Sequence, residues 1–434
     1  MAFLVGGASR EALNWHLCLH ALGWFGAALI VLLKYELLLK TTPKLPIFLF
    51  MLLSLWCWVT LLPLPADWFV EKHIYKNLIA ERKNLGSNEN LVTISLSPVG
   101  TLRSLLSFGP SLYILLCIPL LNEGQRSRGL YGVLLLGVIS IVLGLGQIFT
   151  GRASALYFWD FTNRGFAVGI FANTNHQTIF AAVLIPIVYA IGLQNISRFK
   201  HGEERFGYAA IFAILCLLIF IGVIVGGSAA GYGLSVFALI ASIIFLRTSK
   251  VRSLLKNVSF SVVAFAAIFL LAKFIALSPR LYGLGTYSYG GGEESRKSIN
   301  IKGLRILEEN YMFGTGYGSF TEVYPFYENT KMVTNRFVNH AHNDWLEWMI
   351  ELGLPGFVLL VIFGGWLSLK YIKLFLTQRQ NSKEFLLCKV TAICSMILLI
   401  HSFVDYPLRT PFLQILFWAL IAVSVTMPYT KKVF

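Results

Sequence analysis

The residues of this chain best suited to chemistry are the two imidazoles of Asn339-His340-Ala341-His342-Asn343-Asp344, which run directly into Trp345-Leu346-Glu347-Trp348. A histidine beside a carboxylate on a wet surface titrates near neutrality and can take a proton from an alcohol. Asn343 or Asp344 can cap a helix that starts here, and Asn343, Glu347 and Glu351 then recur along one face at i, i+4 and i+8. The same residues also suit a plainer role, solvating a helix end beside the interfacial rings of Trp345 and Trp348. No metal site is expected: His340 and His342 are two apart, not in the i, i+4 HExxH arrangement, and no cysteine is near. His16 and His20 do have i, i+4 spacing, but no third ligand accompanies them.

A second constellation is Asn163-Arg164-Gly165 through Gly169-Ile170-Phe171-Ala172-Asn173-Thr174-Asn175-His176-Gln177, at the start of an apolar run. A guanidinium there is costly unless paired, and phosphate at headgroup depth is its common partner, in a substrate or in bulk lipid. Asn173 and Asn175 can face a ligand or simply cap the helix that follows. Arg296 opens a helical pattern and precedes Gly314-Thr315-Gly316-Tyr317-Gly318-Ser319-Phe320, a glycine-spaced run whose backbone N–H groups could approach an anion. No buried strand leads into it, which excludes a dinucleotide fold. His401, Asp405, Tyr406 and Arg409 gather where a later apolar run ends, and Asp405 can pair with Arg409.

The elements that must hold these residues are membrane helices. The chain has 434 residues, 56% hydrophobic and 13% charged, with a mean hydropathy of +0.68. Apolar runs of roughly 17–25 residues recur throughout, each long enough to cross a hydrocarbon core of about 30 Å, and open strands are excluded there. We read about eleven spans: Trp15–Tyr35, Leu45–Leu64, Phe108–Leu121, Leu130–Phe149, His176–Leu193, Tyr208–Val225, Gly231–Phe245, Val258–Leu277, Gly353–Leu369, Phe385–Val404 and Phe412–Met427. The net charge of +15 sits in the short links between spans, such as Lys34/Lys40/Lys44, Arg126/Arg128, Arg198/Lys200/Arg205, Arg247/Lys250/Arg252/Lys256, Lys370/Lys373/Arg379/Lys383 and Lys431/Lys432. That pattern marks cytoplasmic connections and speaks against nucleic acid as a partner. The six cysteines all fall in apolar runs, so no disulfide framework is expected. The N-terminus lacks a cationic, cleavable leader, so the first run is expected to be retained.

The opposite side then receives loops 65–107 and 150–175, the Gly226–Ala230 turn, 278–352 and 405–411. This count puts the N-terminus outside, whereas a twelfth span or a re-entrant first segment would place both ends inside. The expected architecture is all-α, a polytopic integral membrane protein of about 11–12 transmembrane helices with a long, partly helical loop on the non-cytoplasmic side. Its parts are an N-terminal bundle 1–277 with periplasmic loop 65–107, a periplasmic loop 278–352, and C-terminal helices 353–434. Helical patterns stand near Glu294–Asn310 and Asn343–Leu352, the latter stopped by Gly353 and Pro355.

Taken together, Arg164, Gly169-x-Phe171-x-Asn173-x-Asn175, Arg296 ahead of Gly314-x-Gly316-x-Gly318-x-Phe320, His342-Asn343 ahead of Gly353-x-x-Gly356, and Asp405-Tyr406-Pro407-Leu408-Arg409 resemble the O-antigen ligase/polymerase superfamily. The likeness runs from about residue 165 to 411 in order, spacing and sidedness. Earlier in the chain, Leu96-Ser97-Pro98 with Thr101 looks like polymerase-like members. Four features depart from the family's pattern. Thr174 and Ala341 stand where prolines are usual, Ser228-Ala229 replaces a Ser-Arg pair, and a tryptophan after the loop arginine is missing.

The resemblance implies a metal-independent transferase of the bacterial inner membrane, with no cofactor, that uses a glycan on undecaprenyl diphosphate at the periplasmic face. Its acceptor would be another glycan or lipid A-core, and its surroundings membrane lipids and partner proteins of polysaccharide assembly. Arginines fit the diphosphate, and Arg164, Arg296 and Arg409 are the candidates. His342 would be the general base by similarity, its ring oriented by Asn343 or Glu347. His340, Asn173, Asn175 and Tyr317 complete the substrate-binding candidates. Tyr282, Tyr287, Tyr289, Tyr311, Tyr317, Tyr324 and Tyr327 offer rings for sugar faces. Polymerase is favoured slightly over ligase on the Leu96–Thr101 likeness. A protein O-oligosaccharyltransferase is disfavoured because the chain stops soon after its last span. The rival from another class is a lipid-linked glycan flippase or transporter, which predicts charges at mid-membrane and pseudo-symmetric halves.

Overall fold

The computed structural model describes residues 1–9, 14–69, 74–76, 80, 90–196, 203–246, 296–328, 337–377 and 382–426. Outside these lie the expected span Val258–Leu277, the glycines 290–292, Tyr282, Tyr287 and Tyr289, and the basic residues Arg198, Lys200, Arg247, Lys250, Arg252, Lys256, Arg379, Lys431 and Lys432. Each of the other expected spans falls on a helix: α1 (Asn14–Thr41), α2 (Lys44–Thr60), α3 (Pro98–Cys117), α4 (Glu123–Thr150), α5 (Thr174–Ile196), α6 (Glu203–Val225), α7 (Ala229–Phe245), α9 (Asp344–Leu376), α10 (Lys383–His401) and α11 (Pro411–Val425). A polar helix α8 (Arg296–Asn310) lies between α7 and α9. Among the described helices 7 are long and apolar enough to cross a bilayer, and α2, α7 and α11 are shorter apolar helices. The protein is an all-α, polytopic membrane protein.

Polar residues set the helix ends. Asn122 and Gln125 form a reciprocal capping box at the start of α4, and Ser228 and Ser382 cap α7 and α10 by accepting from the N–H groups of Gly231 and Phe385. Gly353, at φ 59° and ψ −149°, breaks α9 into two stretches, and Pro355 sits at the start of the second, where its missing N–H costs nothing. The expected stop is therefore a kink through which the chain continues into the span.

The chain forms two units. The first comprises Met1–Pro43, Pro110–Ser288 and Ser368–Phe434. Its centre is α5, buried on all sides from Ile179 to Leu184 and packed on α4, α6, α7 and α10, which is why its sequence is apolar all round. At one end Arg126 donates to the Pro119 carbonyl (3.1 Å) and Thr426 Oγ1 (3.0 Å) and meets Glu384 (3.5 Å), gathering the links rich in Lys and Arg. At the other end the Gly6 carbonyl accepts from Phe412 N–H (2.9 Å), the Gly7 carbonyl accepts from Ala172 N–H (3.0 Å), and Thr174 Oγ1 donates to the Gly226 carbonyl (2.6 Å). Residues 1–9 thus share an end with the 151–173 loop and the 405–411 turn.

The second unit comprises Lys44–Gly109 and Tyr289–Leu367. Two features here were not expected. A short antiparallel ribbon pairs Pro63–Pro65 with Leu91–Thr93, and α3 starts at Pro98, ten residues before the expected span, because Ser97 Oγ caps it at Gly100 N–H. A core of Ile299, Ile306, Phe320, Val323, Tyr324, Ala341, Leu346 and Ile350 joins α8 to the start of α9. Gly303 lies against Leu346 and Ile350, while beyond the end of α8 Tyr311 C=O accepts from Leu354 N–H (2.7 Å). The two helices therefore run in the same direction, and their N-terminal ends lie together.

The glycine-spaced run crosses this pair. Gly314 N–H donates to Asn310 C=O, Thr315 N–H to Ile350 C=O, Gly316 N–H to Glu351 C=O and Phe320 N–H to the Glu351 carboxylate. Those amides are spent on the fold, which corrects the expectation that they could cradle an anion. Gly316, at φ 99°, has no room for a side chain, because a Cβ would run into the Ser95 side chain and backbone. Gly316→Ala should therefore cost about 1–3 kcal/mol of stability, read as a lowered thermal midpoint in detergent; an unchanged midpoint would refute the close crossing.

Candidate functional site

In the second unit, α9 begins at the cap that the sequence offered. Asn343 Oδ1 accepts from the N–H groups of Trp345 and Leu346, both at 3.1 Å. Glu347, one turn on, is 1% exposed and holds two groups at once: Oε1 lies 2.8 Å from His340 Nδ1 and Oε2 accepts from Ala341 N–H at 2.7 Å. Between grip and cap stands His342, half-buried, at φ 51°, the one non-glycine residue with positive φ among those described. A left-handed L-residue costs roughly 1–2 kcal/mol, so the turn must be held by its surroundings.

Arg296 is exposed at the first position of α8, one turn from Ile299, which shares its core with Ala341. The structure thus brings Arg296 and His342 to one end of one unit. His340 is 5% exposed and Tyr317 6% exposed, the latter with its ring 5.5 Å from Phe108 and 5.8 Å from Trp348. Both were expected among substrate contacts, as was Glu347; their side chains are enclosed within the unit. Nearby, burial pushes the Glu322 carboxyl up from its ordinary range, with Arg103 and the Ser97 hydroxyl pulling it back.

In the first unit the 151–173 loop is irregular yet buried at Val168 to Phe171. Its polar groups are met by residues that sequence reasoning passed over. Gln147 Oε1 accepts from Val168 N–H (3.0 Å) and Gly169 N–H (2.9 Å), while its Nε2 donates to Gly169 C=O (2.8 Å) and Leu156 C=O (2.9 Å). Ser140 Oγ accepts from Ile170 N–H (3.2 Å) and donates to Gln177 Oε1 (2.6 Å). A lone glutamine inside an apolar run was the available signal.

This framework presents Arg164, exposed, with Nη1 donating to Arg152 C=O (3.2 Å) and the guanidinium 5.6 Å from the Tyr157 ring centre. Burial raises the Tyr157 phenol, opposed by the Gly165 N–H that it accepts and by Arg164 and Arg152. Asn163 accepts from Thr174 N–H, and Asn173 Oδ1 accepts from Asn175 N–H (2.9 Å) while its Nδ2 donates to Tyr406 Oη (3.3 Å). His176 Nδ1 meets Thr410 Oγ1 at 3.0 Å, and Asp405 Oδ1 accepts from Tyr406 N–H at 3.0 Å. Half-buried Arg409 stands on that same turn, so Arg164, Asn173, Asn175 and Arg409 share one end of the first unit, away from Arg126. Among the described residues no cluster of three or more His, Cys, Asp or Glu could hold a metal.

The departures from the family's pattern have local uses. Ala341 supplies the N–H that Glu347 takes, which proline could not, and Thr174 ties its loop to the α6–α7 turn. The pinned turn at 342 can be tested by stability. His342→Gly and His342→Ala both remove the imidazole, but glycine accepts the left-handed backbone, so the glycine variant should be the more stable by about 1 kcal/mol. A detergent melt in which the alanine variant equals or exceeds it would exclude the strain.

Residues 213–361 match the family model described as O-antigen ligase (Wzy_C), and no curated protein matches the chain. The matched segment contains Arg296, Tyr317, His340, His342, Asn343 and Glu347, whereas Arg164, Asn173, Asn175 and Arg409 lie outside it. The match supports the resemblance of this chain to the O-antigen ligase/polymerase superfamily and, in general terms, to glycan transfer.

Proposed function

We propose that the protein is an inner-membrane glycan transferase that takes oligosaccharide from undecaprenyl diphosphate at the periplasmic face, without metal or cofactor. The acceptor hydroxyl oxygen attacks the anomeric carbon, the bond from that carbon to the diphosphate breaks, and undecaprenyl diphosphate leaves with inversion. His342 accepts the hydroxyl proton. Arg164, Arg296 and Arg409 hold the diphosphate and offset the charge that grows on it, since a planar fork grips phosphate oxygens better than a point charge does. Asn173 and Asn175 flank the donor at their end of the first unit. The observation that carries this reading is the half-exposed imidazole of His342, held on a fixed turn at the end of the second unit that also presents Arg296, within the matched domain.

Sidedness is inferred from charge: in the first unit the candidate residues stand at the end opposite the Arg126 cluster, and links rich in Lys and Arg favour the cytoplasm. A cysteine introduced at exposed Glu308 should react with an impermeant maleimide in intact spheroplasts, and one at Lys383 only after lysis. The reverse pattern would sink the periplasmic assignment.

The lean to polymerase over ligase rests on Leu96-Ser97-Pro98 with Thr101. In a deletion strain, loss of a polymerase leaves single repeat units on the core, and loss of a ligase leaves full-length chains on the carrier. Purified protein with lipid-linked donor and acceptor in detergent should transfer glycan, which pure transport would not do. There His342→Ala should lower the rate at least about 100-fold with the fold intact. Arg164 and Arg296 should tolerate Lys better than Ala in donor use. Near-normal transfer by the His342 variant would remove it as base.

A further inference from the structure

The Glu347 carboxylate, offered by the sequence together with Asn343 as an orienter of His342, is enclosed beside the proposed base at 1% exposure. It lies in the first turn of α9, where the helix dipole favours an anion, and each of its oxygens has a partner in the two residues that precede His342. On the other side of His342, Asn343 is fixed by two cap hydrogen bonds. The histidine is thus pinned before and after, in a backbone conformation that it would leave if either side were released. At 1% and 5% exposure, Glu347 and His340 are shut away from a substrate.

We propose that Glu347 and His340 form a positioning pair: by gripping the His340 imidazole and the Ala341 N–H together, the carboxylate holds residue 342 left-handed and so aims the His342 ring at the acceptor hydroxyl. This rests on His342 being the base. The pair touches no substrate, so its loss misdirects the base without weakening donor binding. A displacement of about 1 Å at a reacting group can cost roughly 100-fold in rate.

The test uses the full chain, purified in detergent with lipid-linked donor and acceptor. Glu347→Ala should lower kcat about 100-fold with donor KM held within about twofold. Glu347→Gln keeps an oxygen for the Ala341 N–H and should lose only about tenfold. Separately, diethyl pyrocarbonate should spare His340 in the parent protein and modify it in folded Glu347→Ala, because the unlatched ring becomes accessible. The proposal is overturned if folded Glu347→Ala keeps its kcat, if the loss lies wholly in KM, or if His340 stays as protected as before. Should Glu347→Ala fail to fold, unaltered kcat in both Glu347→Gln and His340→Gln would overturn it equally. Activity in His342→Ala would remove the base reading alone, since the protection of His340 reports the grip without catalysis.

Discussion

Buried backbone that is not helical must find its hydrogen-bond partners among side chains, because neither lipid nor a dry interior supplies them. Both groups of candidate residues stand on stretches that meet this constraint. Gln147 and Ser140 complete the loop that carries Arg164, Glu347 completes the turn before His342, and Glu351 completes the end of the glycine run. In each case buried polar side chains replace the partners that a helical turn would have given, and an irregular segment becomes a fixed platform.

The sorting of charge follows. Glu347, Glu351 and Asp405 are each 1% exposed and occupied with amides of their own unit, whereas Arg164 and Arg296 are exposed and Arg409 half so. These three carboxylates serve as internal acceptors, while the three candidate arginines reach the surface. An anionic ligand approaching either unit at these places meets cationic groups, which favours encounter as well as binding.

Much of this was legible in the sequence. Hydropathy gave every described span, since a bilayer leaves no alternative to the helix, and of the two caps the sequence offered, Asn343 and Asp344, the structure uses Asn343. The i, i+4 relation placed Glu347 on the correct face, but its partners precede the helix and depend on a tertiary turn that no periodicity encodes. Tyr317 was read as a sugar platform from residue type, although its ring is core, because local sequence does not report what packs on it from Phe108 and Trp348. Gln147 reads as an isolated polar residue until the loop it completes is placed beside it. The early start of α3 was missed because its first turns are too polar to register as a span.

The hydrogen bonds of Gly6 with Phe412 and of Gly7 with Ala172 tie residues 1–9 to α11 and to the 151–173 loop. During synthesis Gly7 can meet Ala172 once the 151–173 loop is made, whereas the Gly6 carbonyl has no partner until α11 has emerged. Until then that end relies on contacts within the partial bundle, and the Gly6–Phe412 contact, which joins positions far apart in sequence, belongs to the class of non-local pairings that form late.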